Sequence, residues 1–148
     1  MATFKPTRIR IMTYYFLRSF IMAVAAITGK FAVDLTKQSG VDTEALVIFF
    51  FTWLIFGLVF QPLVYGNSGD DFSIILTDTS ITGRELGVTS FDKLTFKFSE
   101  IKKLVIGHPR WFQSSRIISK NKEKIIIHPA ISDKDYNQII SYLREKGI

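Results

Sequence analysis

Residues 107–116, GHPRWFQSSR, gather the side chains in this chain most capable of chemistry: an imidazole (His108), two guanidiniums (Arg110, Arg116), an indole (Trp111) and a phenyl ring (Phe112). Lys102 and Lys103 stand just ahead of them, across the apolar run Leu104-Val105-Ile106. Cations mixed with rings suit an anion that has an aromatic part. Guanidinium and ammonium groups make charge-assisted hydrogen bonds to phosphate, and a base stacked on a ring contributes about 1–3 kcal/mol. The same residues suit an anionic membrane surface, where each Lys or Arg gains about 1 kcal/mol and Trp settles at the headgroups. They also suit a packed turn, with Trp111 and Phe112 plugging a sheet and the lysines in water. On the residues alone all three readings stand.

Charge singles out the same region. Between 102 and 124, Lys102, Lys103, Arg110, Arg116, Lys120, Lys122 and Lys124 face Glu123 alone, which accounts for the whole formal excess of +6. The remainder of the chain is balanced.

Catalytic readings find little support. His108 and His128 are the only histidines, each followed by proline, and two ligands without a clustered third do not make a zinc site. No phosphate-binding glycine loop, nucleophile elbow or paired-carboxylate motif occurs, and Ser114-Ser115 has no local base. Neither enzyme activity, a metal nor a cofactor is expected. The absence of cysteine fits a reducing compartment and excludes a disulfide framework.

The elements that would position these residues fall into two groups. Residues 45–65 contain no charge, and 21 helical residues span about 31 Å, the thickness of a bilayer core. Residues 11–33 form a second candidate span, interrupted by Arg18 and Lys30, whose long side chains can reach back to the headgroups. Lys5, Arg8 and Arg10 precede the first span, whereas the connection at 34–44 holds Lys37 against Asp34, Asp42 and Glu44. The positive-inside rule then places the N-terminus and everything after Tyr65 in the cytoplasm.

Residues 66–71 read as a flexible polar linker. Beyond them, short strands are predicted at 72–77, 80–86, 93–98, 102–107, 116–119 and 124–128, separated by turn residues. Ser132 is placed to cap a helix running to about Lys146, with Tyr136, Ile139, Ile140 and Leu143 as its apolar stripe. The expected fold is therefore an α+β membrane protein. A two-helix transmembrane hairpin in residues 1–65 leads through the linker into a small antiparallel β-sheet domain, 72–148, with a C-terminal amphipathic helix.

Over 72–146 the stretches FSIILTDTSIT and FKFSEIKKLVI, with the terminal helix, resemble bacterial pleckstrin-homology-like domains that follow two membrane helices. Such a likeness implies a fold without a function. At full length, the two apolar segments and the run KKLVIGHPRWFQSSR are similar to the two-helix membrane effectors of type III CRISPR antiviral defence. That resemblance implies a bacterial inner-membrane protein with a cytosolic domain sensing a cyclic oligoadenylate second messenger, cyclic tetra-adenylate above others. It also implies a symmetric homo-oligomer, favoured as a tetramer, and membrane disruption or channel opening as output. In such a ring Arg110 and Arg116 would pair with phosphates, Lys102 or Lys103 would add field, His108 would donate to a phosphate or ribose, and Trp111 would stack on adenine. Arg18, Thr28 and Gln61 would face a helix bundle. The alternative expectation is a pleckstrin-homology-like protein that holds anionic lipid or a protein partner; double-stranded DNA is not expected.

Overall fold

The computed structural model describes residues 1–36, 40, 42–66, 68–86, 92–110 and 113–148. A short strand β1 (Ala2–Phe4) precedes two long helices, α1 (Arg8–Thr36) and α2 (Thr43–Tyr65). Strands β2 (Ile74–Leu76), β3 (Ser80–Arg84), β4 (Lys93–Lys97), β5 (Ile101–Val105), β6 (Ser115–Ser119) and β7 (Lys124–Ile127) follow, and helix α3 (Asp133–Glu145) closes the chain. The six strands and the last helix expected from the sequence are all present, each end within two residues of its predicted place.

β1 is the element the sequence did not announce. It pairs antiparallel with β2, Ala2 opposite Leu76 and Phe4 opposite Ile74, so Ala2–Phe4 belong to the sheet and not with the helices of the expected 1–65 unit. Pairing satisfies their backbone groups and lets Phe4 pack on the core. Strands β1-β2-β3-β4 form one antiparallel sheet and β5-β6-β7 another. The sheets meet where the Leu86 amide donates to the Lys124 carbonyl (2.8 Å), beside a bridge between Glu85 and Ile125. Gly83 permits this approach, because a Cβ there would lie 2.5 Å from Ile125 Cγ2 and 2.7 Å from Ile74 Cδ1.

Ile74, Ile81, Phe96, Ile117, Ile125 and Ile127 fill the space between the sheets, and α3 covers it with Tyr136, Ile139, Ile140 and Leu143. The Ser132 hydroxyl accepts from the Asp135 amide (3.1 Å), the cap its position predicts.

α1 and α2 form an antiparallel hairpin, and both are long and apolar enough to cross a membrane. At 29 and 23 residues they measure about 43 and 34 Å, so α1 outruns α2 by roughly 9 Å. The overhang carries Ile11, Tyr14 and Tyr15, which are buried with Phe72 and Ala130 of the β domain. Beyond it, α2 buries no residue, and Ile48, Phe51, Ile55, Val59 and Leu63 are all exposed. The helices touch closely at Gly57, where a Cβ would lie 2.8 Å from Ser19 Cβ. One turn further along α2, the Gln61 amide donates to the Ser19 hydroxyl (3.0 Å). Of the other polar residues expected to face a bundle, Thr28 donates to the Val24 carbonyl of its own helix (3.0 Å) and Arg18 lies over the Tyr65 ring at 5.8 Å.

The polar segment 66–71 is tied down where described. Ser68 N–H donates to Asp71 Oδ2 (3.0 Å), Asp70 N–H to the Ser68 hydroxyl (3.1 Å), and Lys5 pairs with Asp70 (3.2 Å). A glycine- and serine-rich composition predicts flexibility; side chains that satisfy their own backbone make a turn instead.

Truncating Ile125, fully buried between the sheets, is expected to cost about 2–5 kcal/mol. Chemical denaturation of full-length Ile125→Ala in detergent, followed by circular dichroism, measures the loss.

Candidate anion-binding face and helix junction

Antiparallel register decides which cations share a surface. Val105 stands opposite Arg116 and Lys103 opposite Ile118; Arg116 in turn faces Ile126, and Ile118 faces Lys124. Paired residues project to the same side of a sheet, so Lys103, Val105, Arg116, Ile118, Lys124 and Ile126 form one outward face, with Ile117, Ile125 and Ile127 on the core side. Lys103 and Lys124 flank Ile118 at about 10 Å from each other, two strand spacings, and Arg116 sits diagonal to both. Lys102 is exposed at the register shift between Ile101 and Lys103, and exposed Lys120 and Lys122 extend the charge to the β6–β7 tip. Among the described residues, none of these cations has a carboxylate partner.

The residues predicted as one site are divided by the structure. Lys102, Lys103 and Arg116 lie on or beside this face; His108 is exposed in the β5–β6 loop. Arg110 turns away from it. Its guanidinium donates to the Asp133 carboxylate and the Ile131 carbonyl and lies 4.2 Å above the Tyr136 ring, which pins the loop to the start of α3. Trp111 and Phe112 lie outside the described residues. The loop closes on itself through Gln113 N–H to the Pro109 carbonyl (3.0 Å) and Gly107 N–H to the Ser115 hydroxyl (3.0 Å), and that hydroxyl shares a buried 2.7 Å hydrogen bond with Tyr136. Lys124 belongs to the basic segment, but nothing beside it in sequence marks it as a ligand. Its place becomes visible only when the hairpin register is known.

A second polar centre lies where the helices meet the β domain, at the opposite end of the sheet from the β6–β7 tip. His128, at the end of β7, is 5% exposed and packs against Phe72, Tyr14 and Tyr15, with ring centroids 4.1, 4.8 and 6.3 Å away. Its Nδ1 accepts from the Ala130 amide (3.1 Å). Burial, reinforced by the charges of Arg84 and Arg18, holds its pKa down to about 3, so the ring is neutral at physiological pH.

Arg84 ends β3 with 2% exposure. It donates to the Tyr65 carbonyl at the C-terminal end of α2 and lies 5.0 Å from the Phe72 ring. Burial pulls its pKa below the ordinary value, opposed by Tyr15 and Asp71; an arginine stays charged even so. The negative end of the α2 dipole and the ring face compensate that buried charge. Next to it Gly66 terminates α2 at φ +86°, its N–H donating to Pro62 (3.0 Å) and its carbonyl accepting from the Tyr15 hydroxyl (2.8 Å). A positive φ of this kind suits glycine. Nothing in the local sequence marks Arg84, which reads as one more polar strand residue.

No protein-family model, curated protein or solved structure matches the chain.

Two outcomes follow. Because unfolding lets His128 take a proton below about pH 6.5 while the folded state refuses it until about pH 3, stability falls with acidification across that window. The slope is at most about 1.4 kcal/mol per pH unit. His128→Asn, which keeps an acceptor for Ala130 N–H, should flatten that slope in thermal melts taken from pH 7 to pH 4. Arg84→Met should lower stability by about 1.5–3 kcal/mol, the worth of a hydrogen bond from a charged donor, as read by denaturation in detergent.

Proposed function

We propose that the chain is a two-helix membrane protein whose β domain receives a phosphate-rich ligand from the cytoplasm on the Lys103–Arg116–Lys124 face. Membrane insertion is supported by α2, which buries none of its residues and exposes a continuous apolar surface larger than soluble proteins tolerate. Pairing of β1 with β2 supports a hairpin crossing, with residues 2–4 and the rest of the domain on one side. The basic flank Lys5, Arg8 and Arg10 supports a cytoplasmic position for that side.

The observation that carries the ligand class is a row of unpaired cations on one outward face. Lys120 directly follows β6, four residues and about 13 Å from Arg116, so the charge reaches well beyond one contact. Its Lys120 end points away from α1 and therefore away from the membrane, more than a Debye length of about 8 Å from Arg116 at physiological salt. A soluble anion reaches all of it, whereas headgroups reach the Arg116 end, where Val105 and Ile106 are exposed. The cyclic tetra-adenylate implied by the effector resemblance supplies a probe with four phosphates. Residues outside the face would have to provide any base stacking, since its six outward side chains include no ring.

Transmission to the helices takes two short routes from Lys124. Along β7 the fourth residue on is His128, against Tyr14 and Tyr15 of α1. Across the corner, the Lys124 carbonyl holds Leu86, two residues from Arg84 and its grip on α2. Ligand on the face thereby bears on both helix ends, and the output is a change in helix packing.

The test is anisotropy titration of labelled cyclic and linear tetra-adenylate into the full chain in phosphatidylcholine nanodiscs. Three phosphate contacts predict about a twentyfold loss of affinity between 50 and 200 mM salt, using the single-strand dependence on contacts. The double variant Lys103→Glu/Arg116→Glu should bind at least about tenfold more weakly, the scale of one lost charged contact. Unchanged affinity in the variant, or indifference to every soluble phosphate together with selective docking on anionic nanodiscs, overturns the proposal; the latter assigns the face to lipid.

A further inference from the structure

Between α1 and α2, on the side where Arg18 emerges, lies a groove of about 150 Å³. Arg18, Gln61 and Tyr65 line it toward the C-terminal end of α2 and Met22, Trp53 and Phe56 toward the other end, with Phe60 beside Gln61. From Tyr65 to Trp53 it runs twelve residues along α2, about 18 Å, close to the depth of one leaflet of a hydrocarbon core about 30 Å thick.

Two groups at the end nearer Tyr65 are incompletely met. Arg18 lies over the Tyr65 ring and interacts with the Tyr14 hydroxyl, but it has no carboxylate partner among the described residues. Gln61 keeps Oε1 buried without a hydrogen bond while its amide nitrogen is spent on Ser19. A cation without a carboxylate and an unmet amide oxygen above an apolar channel match one class of molecule. Its acyl chain fills the channel, its phosphate meets the guanidinium, and a headgroup hydroxyl donates to the amide.

We infer that this groove is a specific site for one anionic glycerophospholipid, held as a third packing element of the hairpin. The inference rests on the membrane reading above. Gly57 lets the helices touch at Ser19 and itself lines the groove between Trp53 and Phe60.

Native mass spectrometry of the full chain, released from bilayers of equal phosphatidylglycerol and phosphatidylcholine, reads the bound lipid directly. At least about tenfold preferential retention of one phosphatidylglycerol per chain is expected, as one charge-assisted contact of about 1.4 kcal/mol implies. Arg18→Gln should reduce retention to the phosphatidylcholine level and Arg18→Lys should preserve the preference, with circular dichroism confirming that both variants fold. Equal retention of the two lipids, or an unaltered preference in Arg18→Gln, overturns the inference. So does rapid disulfide formation between copies of Phe60→Cys in a chain that otherwise has no cysteine, without retained lipid, because a second copy then fills the groove. Alkaline extraction separates this failure from that of the membrane reading: release from the membrane sinks both, whereas a chain that stays in the pellet yet shows no lipid preference sinks the groove alone.

Discussion

The helical hairpin leaves the β domain between two strands that are hydrogen-bonded neighbours, and that constraint fixes how both helices meet the domain. β1 and β2 lie side by side in one sheet although α1 and α2 intervene in sequence. Both ends of the hairpin must therefore return to one place. The extra length of α1 accommodates this: its first two turns lie against Phe72 and Ala130 while α2 stops at Gly66. A hairpin held at one end only would pivot on its linker. Here β1 holds the entry to α1, and Arg84 with Tyr15 holds the exit from α2.

Arg84 is the costliest of these devices. Burying a guanidinium is unfavourable unless its charge is met, and the partners available are a helix-terminal carbonyl, an aromatic face and the field of Asp71. A hydrophobic residue would fill the site with less electrostatic risk, but it would leave the end of α2 with nothing to dock on. The neutral, buried His128 plays the complementary part for α1, filling an aromatic cluster without adding a second charge beside Arg84.

Much of this architecture is legible in the sequence, for identifiable reasons. Alternation in KLTFK and the β-branched runs IIL and KIII mark strands because one face of each is buried. Ser132 and the stripe ending at Leu143 mark α3 because a cap and a period coincide. Three residues of β1 are too few to show a period, and their partner lies beyond two helices. The fate of Arg110 is illegible for another reason. A cation beside rings looks the same whether it waits for a phosphate or is already engaged by Asp133, Ile131 and Tyr136, and only tertiary placement of α3 tells them apart. Composition located the basic segment, but register selected Lys103, Arg116 and Lys124 from it.

On the proposed function, that selection bears on how a two-element protein of this size would carry a signal. The β5–β7 sheet has its cationic tip at one end and the helix junction at the other, with β7 spanning both in four residues. Its core side is packed with isoleucines whose branched side chains have few rotamers, so a displacement at Lys124 is not absorbed by loose side chains along the way. The junction at the far end is polar and directional: one guanidinium on one carbonyl, one hydroxyl on another. Apolar packing tolerates sliding of a few tenths of an ångström, whereas such hydrogen bonds weaken steeply once misaligned. A stiff sheet ending on angle-sensitive contacts is suited to turning a small shift at its basic face into a discrete change at both helix ends.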